Sequence, residues 1–512
     1  NGAHLYEILK RFRYKNTGAP NVNPVILEHT DSDKLELFLL CMSDAQLNEW
    51  VKQRIGDYKL KELHLKVKPG CEPYAKFKGY PIQSGLREAV FYALDQQISR
   101  EYMEEVPFSE DLFISPGFVK VKPGRLQPNT TIPVVRLLGA LQWLNAILQD
   151  APAHWYDHCP IQSDVGMGFP KGSKFFMYID ISDAYHTCRL SEDSRKLVCV
   201  IFDGHIYMYH GGAQGLAPMA VFWNAHLNDG FDRVLGPHWR KWWHSYIDDL
   251  GVHATTSERC LGRGRLLSTI LKQYKKPFSE KPGADGSLVT KEITLAGMHV
   301  DEHGVHLGTE VLDALQYTLT QFIVKTRKDA QHVVGVIQYC SSAFDWSEDN
   351  NWLEYMRHMN ILTDALKVQE SSRKFDWPTV CIEACEALYA HVKLLPMAYW
   401  NPETLLSDDS CLISMGDASD DAIAITFFHV YVGDASKVTE SDLRDRSKSQ
   451  MIGIRYKKLN SSQRNWATYE AELYCFHKVV QTWGSYITLA TKAYPMDGVP
   501  KIGMWSDSTT AL

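Results

Sequence analysis

The chain has no apolar run long enough to cross a bilayer. Its longest, Ile423 to Val432, is broken by Thr426 and His429, whereas a spanning helix needs about 20 apolar residues. No CxxC pair and no Cys/His zinc spacing occurs. The eleven cysteines are scattered, with only Cys381 and Cys385 close together, which reads as reduced intracellular thiols and not as a disulfide framework. Positive charge is not in excess: 54 Lys and Arg face 61 Asp and Glu, for a net charge of −7. That balance excludes a uniformly basic nucleic-acid binder, but not one whose cations line a single groove. No secretory signal opens the chain at Asn1, which reads as a piece of something longer. With 45% hydrophobic and 22% charged residues over 512 positions, the composition is that of a globular protein of two to four domains.

What is present centres on Tyr246-Ile247-Asp248-Asp249, set between Lys241-Trp242-Trp243-His244-Ser245 and Leu250-Gly251-Val252-His253. Aromatic and β-branched residues favour strands and Asp favours turns, so this is a hairpin with two carboxylates at its tip. Oxygen ligands suit a hard divalent cation. Two such ions about 4 Å apart clamp the attacking and leaving oxygens of a phosphoryl transfer. Alone the motif is weak, since Tyr-x-Asp-Asp arises by chance in roughly one chain in twenty of this length. An ordinary polar turn is the competing reading.

Other stretches supply partners. Asn16 to Pro24 is turn-rich, and residues 1–60 read as a linker with a small accessory segment. Leu86 to Val106 predicts a helix, with Leu86, Ala89, Val90, Ala93, Leu94 and Ile98 at helical spacing. Phe118 to Arg125 and Ile132 to Leu137 predict strands, the first with alternating Val and Lys, giving one apolar and one cationic face. That cationic face suits a triphosphate, or is simply solvated. Lys174 to Leu190 contains an apolar strand ending in Asp180, and such a strand is normally buried. Val198 to Tyr209 predicts a hairpin around Asp203-Gly204. Gly211-Gly212-Ala213-Gln214-Gly215-Leu216-Ala217-Pro218 precedes a helix with Phe222, Trp223 and Leu227; its glycines let backbone approach a flat ligand, or form a plain loop. Trp352 to Trp400 suits a helical connection. In the last hundred residues, Asp417 follows a strand, and Glu472 shares a helix face with Phe476, Val479 and Trp483. A carboxylate there is costly unless it meets a cation or donor. Asp507 ends another strand pattern.

In this order the pieces resemble the reverse transcriptase family, nearest to the gypsy-type LTR retrotransposons and their retroviral relatives, over roughly residues 60–512. Arg136-Leu137 with Leu144-Asn145 resembles the fingers motif, and Asp180 to Tyr185 resembles motif A of the palm. Gln214 to Pro218 resembles motif B, Tyr246 to Asp249 motif C, and Ile293 to His299 the primer-grip hairpin. The resemblance implies an α+β fold: a right-hand polymerase of fingers, palm and thumb, with a helical connection and an α/β RNase H-like domain. The implied divisions are 1–60, 61–305 for fingers and palm, 306–405 for thumb and connection, and 406–512 for the RNase H-like unit.

The resemblance further implies an RNA- and DNA-directed DNA polymerase. Asp180, Asp248 and Asp249 would hold two Mg²⁺ ions, with Mn²⁺ as a substitute. Tyr185 would stand against the sugar and exclude a 2′-OH. Gln214, Arg136 and Lys122 would bind the nucleotide, Lys120 fitting almost as well as Lys122, and Gly297 and Met298 would belong to the primer grip. The family's second fingers Arg is here Gln142. Asp417, Glu472 and Asp507 would be metal ligands of an RNase H, whose last acidic ligand is not among these 512 residues, so that fold is expected to be incomplete. Implied partners are an RNA template, a DNA primer, RNA–DNA hybrid and dNTPs, with a homodimer allowed and no membrane. The setting would be a retroelement particle in the cytoplasm, or the nucleus. Lys171, Lys174, Lys272, Lys275, Lys276, Arg327 and Lys328 are candidates to line the groove. Two other readings compete: a domesticated scaffold without catalysis, disfavoured by the intact acids, and an RNA-dependent RNA polymerase, disfavoured by Tyr185.

Overall fold

The computed structural model describes residues 31–71, 78–156, 169–170, 172–340, 349–368, 377–391, 407–418, 422–445, 447–459, 468–493 and 500–505, with Leu405, Gln463 and Trp466. Helices α1 (Ser32–Leu40) and α2 (Asp44–Ile55) come first, and Ser43 between them forms a capping box with Gln46. Leu35, Leu39, Leu47 and Trp50 lie in the same core as the strands and helices that follow. From residue 31 onward, the expected accessory segment is therefore part of the main body. Glu36 on α1 is 2% exposed. It accepts from Arg263 Nε at 2.6 Å and Nη2 at 3.0 Å, and it also pairs with Arg259.

Helix α3 (Arg87–Ser99) stops short of the predicted Val106. The chain turns at Glu101, whose φ is 57°, and residues Met103–Val106 become strand β1. The helical spacing of Leu86 to Ile98 does not extend past the turn. Beyond it, cross-strand pairing satisfies the backbone groups. Strands β2 (Ile114–Leu126) and β3 (Pro133–Gly139), over the two predicted strands, pair as a hairpin and are followed by helix α4 (Gln142–Ile147). The expected two-faced pattern fails at its outer end, where Val121 is 37% exposed and Lys122 is half-buried. Strand β4 (Phe175–Ile181) leads to β5 (Cys199–Phe202) and β6 (His205–Tyr209). Asp203 and Gly204 between the last two both have positive φ, 49° and 89°, as a type I′ turn requires. The first sheet runs β1-β6-β5-β2-β3.

Helix α5 (Met219–Leu235) precedes β7 (Trp243–Tyr246) and β8 (Asp249–Ala254), and α6 (Ser257–Gln273) precedes β9 (Phe278–Lys281). The second sheet runs β7-β8-β4-β9. Met177, Ile179, Ile181, Leu250 and Val252 share a core with Trp223, Phe231, Leu267 and Ile270 of α5 and α6. By the period-2 rule, Phe176, Tyr178 and Asp180 take the opposite face.

A third sheet of β10 (Glu292–Leu295), β11 (Met298–Asp301) and β12 (Gly304–Leu307) joins a second core. That core includes helices α7 (Thr309–Thr320), α8 (Arg327–Cys340), α9 (Asp349–Val368) and α10 (Thr379–His391), through Leu315, Ile337, Leu362 and Leu388. The helical character expected between Trp352 and Trp400 holds for the described part. The last sheet contains β13 (Cys411–Ala418), β14 (Ala422–Val430), β15 (Ser449–Lys458) and, after helix α11 (Thr468–Ala493), β16 (Ile502–Trp505). Its order is β15-β14-β13-β16, with β16 parallel to β13. Val479 and Trp483 of α11 pack on Ile425 and Phe427. Among the described residues, no helix is long and apolar enough to cross a membrane, and the ten cysteines form no disulfide.

Removing one partner of a buried ion pair leaves the other charge uncompensated. Glu36→Gln should therefore lower unfolding free energy by about 3 kcal/mol in urea titration. A loss below about 1 kcal/mol, the scale of an exposed pair, would show that Glu36 and Arg263 do not fasten α1 to α6.

Candidate active site

Three aspartates meet where β4 and β8 run antiparallel. The register pairs Asp180 with Asp249, and Ile179 with Leu250. Asp248 occupies the turn just before β8, and its carbonyl accepts from the Ile181 N–H at 2.9 Å. The turn itself is strained: Ile247 has φ of 57°, an outlying conformation for a β-branched residue. Trp223 of α5, fully buried, donates its indole N–H to the Ile247 carbonyl at 2.6 Å. Neighbouring groups thus hold the backbone that presents Asp248.

The electrostatics follow from crowding. Burial, and then the nearby Asp180, push the Asp248 carboxyl above the usual range, opposed by its own backbone N–H and by Arg136. Burial raises Asp249 as well, with Asp248 and Asp180 adding to it, while hydrogen bonds from Tyr178 and the Ala296 N–H oppose. Tyr178 donates its hydroxyl to Asp249 Oδ1. Lys281 of β9 lies 3.2 Å from Asp180 Oδ2. Among the described residues, no three His, Cys, Asp or Glu side chains converge as a ready-made metal cage. The donor set is nevertheless oxygen-only and acid-rich. That fits Mg²⁺ or Mn²⁺, whose shell substrate phosphates and waters complete.

The other expected residues distribute around these acids. Lys122 is half-buried; burial and then Arg136 and Arg125 lower its pKa, while Asp183 and Asp180 hold it up. Lys120 is exposed and stands opposite Arg136 in the β2–β3 register. Gln142 is exposed on α4. Tyr185 is half-buried on the 3₁₀ turn Ala184–Thr187, entered through Asp183 at φ of 51°. Gln214 is half-buried. Asn145 clamps the neighbouring loop, donating to the Gly215 carbonyl and accepting from the Ala217 N–H, both at 2.8 Å.

Three expectations need correction. Gly211 and Gly212 admit the protein's own atoms, a backbone carbonyl and a methionine side chain, and not a flat ligand. A Cβ on Gly211 would lie 1.9 Å from the His186 carbonyl oxygen, and one on Gly212 would lie 2.0 Å from Met219 Sδ. Met298 is fully buried in the second core, so the surface of its hairpin turn is left to Ala296 and Gly297. Lys276 is not a groove cation: it is 4% exposed and donates to Thr187 O at 3.1 Å, Thr187 Oγ1 at 3.0 Å and His226 Nε2 at 2.9 Å. Lys174, Lys272, Lys275 and Lys328 are exposed and Arg327 is half-buried, while Lys171 lies outside the described residues. Sequence reading missed Tyr178, Trp223 and Lys281. Tyr178 carried a signal, since it precedes Asp180 by two residues and so shares its strand face.

A second acidic locus lies on the last sheet. Asp417 stands near the end of β13, opposite Ala424. Glu472 is 6% exposed on α11, and its buried Oε2 has no hydrogen-bond partner among the described residues. An orphaned buried carboxylate oxygen fits a cation ligand. Asp507 lies outside the described residues.

No protein-family model and no curated protein matches this sequence. Solved structures do. One is the foamy viral protease-reverse transcriptase in complex with RNA/DNA hybrid, at a TM-score of 0.58 and 15% identity, covering 95% of this chain and 56% of that chain. Its dRH form in complex with ds DNA gives a TM-score of 0.58 at 15% identity, over 99% and 75% of the two chains. The complex with dsDNA gives 0.54 at 15%, over 99% and 97%. The chain thus spans little over half of the first of these and nearly all of the last. Its fold is reverse-transcriptase-like.

Raised carboxyl pKa values have a testable consequence. Unfolded aspartates titrate near ~3.9. Above that value and up to the raised values of Asp248 and Asp249, the folded chain holds more protons than the unfolded chain. Stability therefore falls as pH rises through that window. Asp248→Asn removes one contribution, so the variant should melt higher than wild type near neutral pH, with the gap closing towards about pH 4. A variant that melts lower than wild type at neutral pH would contradict the crowding.

Proposed function

We propose that this chain is an RNA- and DNA-directed DNA polymerase of a retroelement, of the gypsy-type LTR class, with an attached RNase H-like unit. The observation that carries this is the β4–β8 register, which sets Asp180 against Asp248-Asp249 within a reverse-transcriptase-like fold. On this reading the first sheet is the fingers and the β7-β8-β4-β9 sheet with α5 and α6 is the palm. Helices α7 and α8 form the thumb, α9 and α10 the connection, and the last sheet with α11 the RNase H-like unit. The substrates are dNTPs, an RNA or DNA template and a DNA primer.

Asp180 and Asp248 would hold Mg²⁺, or Mn²⁺, with Asp249 beside them. Bound there, the cation supplies Lewis-acid activation of the primer 3′-hydroxyl and neutralises charge on the α-phosphate. The protein's own residues position and neutralise, which is most of what phosphoryl transfer asks of them. Arg136 and Lys122, on neighbouring strands of one hairpin, would take the triphosphate oxygens. Lys122 is felt by Asp180 and Asp183, and we assign it the role over Lys120. Tyr185, on a turn braced by the Gly211-Gly212 approach, would set its ring against the sugar and leave no room for a 2′-OH. Asn145 would keep the Gln214 loop in register with the fingers. Asp417, Glu472 and Asp507 would bind the same cations for cleavage of RNA in a hybrid, with the orphaned Glu472 oxygen as the supporting observation.

Primer extension on an RNA template with dNTPs and Mg²⁺ tests the reading. Wild type should extend, and Asp248→Asn should lose about 4 kcal/mol of transition-state stabilisation, or about a thousandfold in rate. Comparable extension by both proteins would sink the metal assignment. Extension by neither would move the weight to a nucleic-acid-binding scaffold. Tyr185→Ala should raise ribonucleotide incorporation by about tenfold or more, the scale of one lost steric contact. Unchanged selectivity would remove the ring from its assigned place.

A further inference from the structure

Asp249 is held differently from its two neighbours. The Tyr178 hydroxyl donates to its Oδ1, and the Ala296 backbone is near enough to act on the same carboxylate. Ala296 and Gly297 form the two-residue turn between β10 and β11, at φ of 50° and 75°. An alanine in this left-handed region needs outside support. Tyr339 of α8 provides it, donating its hydroxyl to the Ala296 carbonyl at 2.5 Å. Gly297 makes room for that tyrosine: a Cβ there would lie 2.7 Å from the Tyr339 hydroxyl and 3.2 Å from Val311 Cγ2 of α7. The Gly297 carbonyl also accepts from the Gly308 N–H at 3.1 Å, at the start of α7. Tyr178, Tyr246, Ala296 and Tyr339 all pack against the second core. A continuous line therefore runs from the helices of that core to one carboxylate of the acidic cluster.

We propose that Tyr178 and Tyr339 are positioning residues. Together, through Ala296, they turn Asp249 away from Asp180 and Asp248 and so set the affinity of that pair for a divalent cation. The proposal deepens the polymerase reading by separating the three acids into a ligand pair and a tethered third. The physical reason is competition. A carboxylate held by a phenol, beside a backbone turn that is itself fixed, contributes negative field without swinging into the coordination space. Released, it is free to rotate toward its two neighbours and disturb the geometry they offer. Because Tyr339 belongs to α8, the direction of Asp249 is tied to where that helix stands. Linkage then requires a cation in the palm to steady α8 by the same factor.

The test uses Tyr178→Phe and Tyr339→Phe, which keep the rings and remove only the hydroxyls, singly and together. Mn²⁺ binding to the whole chain without nucleic acid is read from the electron paramagnetic resonance of free Mn²⁺, alongside thermal melting and the Mg²⁺ half-saturation of primer extension. Tyr178→Phe should melt close to wild type yet bind Mn²⁺ about tenfold more weakly, the worth of one charge-assisted hydrogen bond. Tyr339→Phe should weaken binding in the same direction, and the double variant should be no worse than the weaker single, as expected of groups acting on one carboxylate. Gly297→Ala, which crowds Tyr339 without deleting its hydroxyl, should reproduce the Tyr339→Phe result. Equal Mn²⁺ binding by wild type and Tyr178→Phe overturns the tether. Fully additive losses overturn the link through Ala296. The Mn²⁺ pattern without any DNA synthesis would remove the polymerase reading and leave the tether standing. Active synthesis with cation dependence untouched by either Phe would do the reverse.

Discussion

The constraint on which the rest depends is the forced proximity of like charges at the end of β4. Facing residues on antiparallel strands stand roughly 5 Å apart. Carboxylates brought to facing positions in this way repel each other. Asp180 and Asp249 face each other in this way, with Asp248 in the adjoining turn. Nothing local in the chain favours the arrangement. It persists because the strands carrying it are buried on one face against α5 and α6, where a register slip would turn Met177, Ile179 and Ile181 out of the core.

Around the acids, the surrounding groups act as braces. Trp223 holds the strained Ile247 carbonyl, Lys281 sits on Asp180, and Tyr178 holds Asp249. Further out, buried charges fasten the elements that support these braces. Glu36 ties α1 to α6 through Arg263, whose Nη1 also reaches the His253 carbonyl on β8 at 2.5 Å. Lys276 joins the turn bearing Tyr185 to His226 on α5. Burial lowers the pKa of both Lys276 and His226, and the imidazole nitrogen then serves as the acceptor for the ammonium. Each of these ties lies within a residue or two of an acid, of the Tyr185 turn, or of a strand that carries them. Polar groups are kept inside the core at the places where geometry must be exact.

Much of this was legible in the chain. Local signals announced the hairpins at Asp203-Gly204 and Ile247-Asp248, the apolar strand before Asp180, and the helix after Pro218. Period-2 and period-3.6 patterns are short-range properties, and the described elements follow them. The reading failed where distant partners decide. Residues 103–106 fall inside the predicted helix yet form a strand paired with β6. Lys276 has the composition of a groove cation, yet His226 and Thr187, from two other elements, enclose it. Gly211 and Gly212 resemble a ligand-binding loop, yet their missing side chains are occupied by His186 and Met219.

The sequence by itself determined which residues have chemistry to offer and, for most of those described, on what kind of element each sits. Residue type sets charge and ligand preference, and spacing along the chain sets helix or strand. Only the tertiary structure decided which of those residues share a site and who holds them. Asp180 and Asp249 are 69 positions apart and meet through strand register. The phenol on Asp249 comes from the strand of Asp180, and the turn beside it is held from a helix some 90 positions further on. Such contacts are fixed by packing between elements distant in the chain, and no local pattern encodes the partner across the gap.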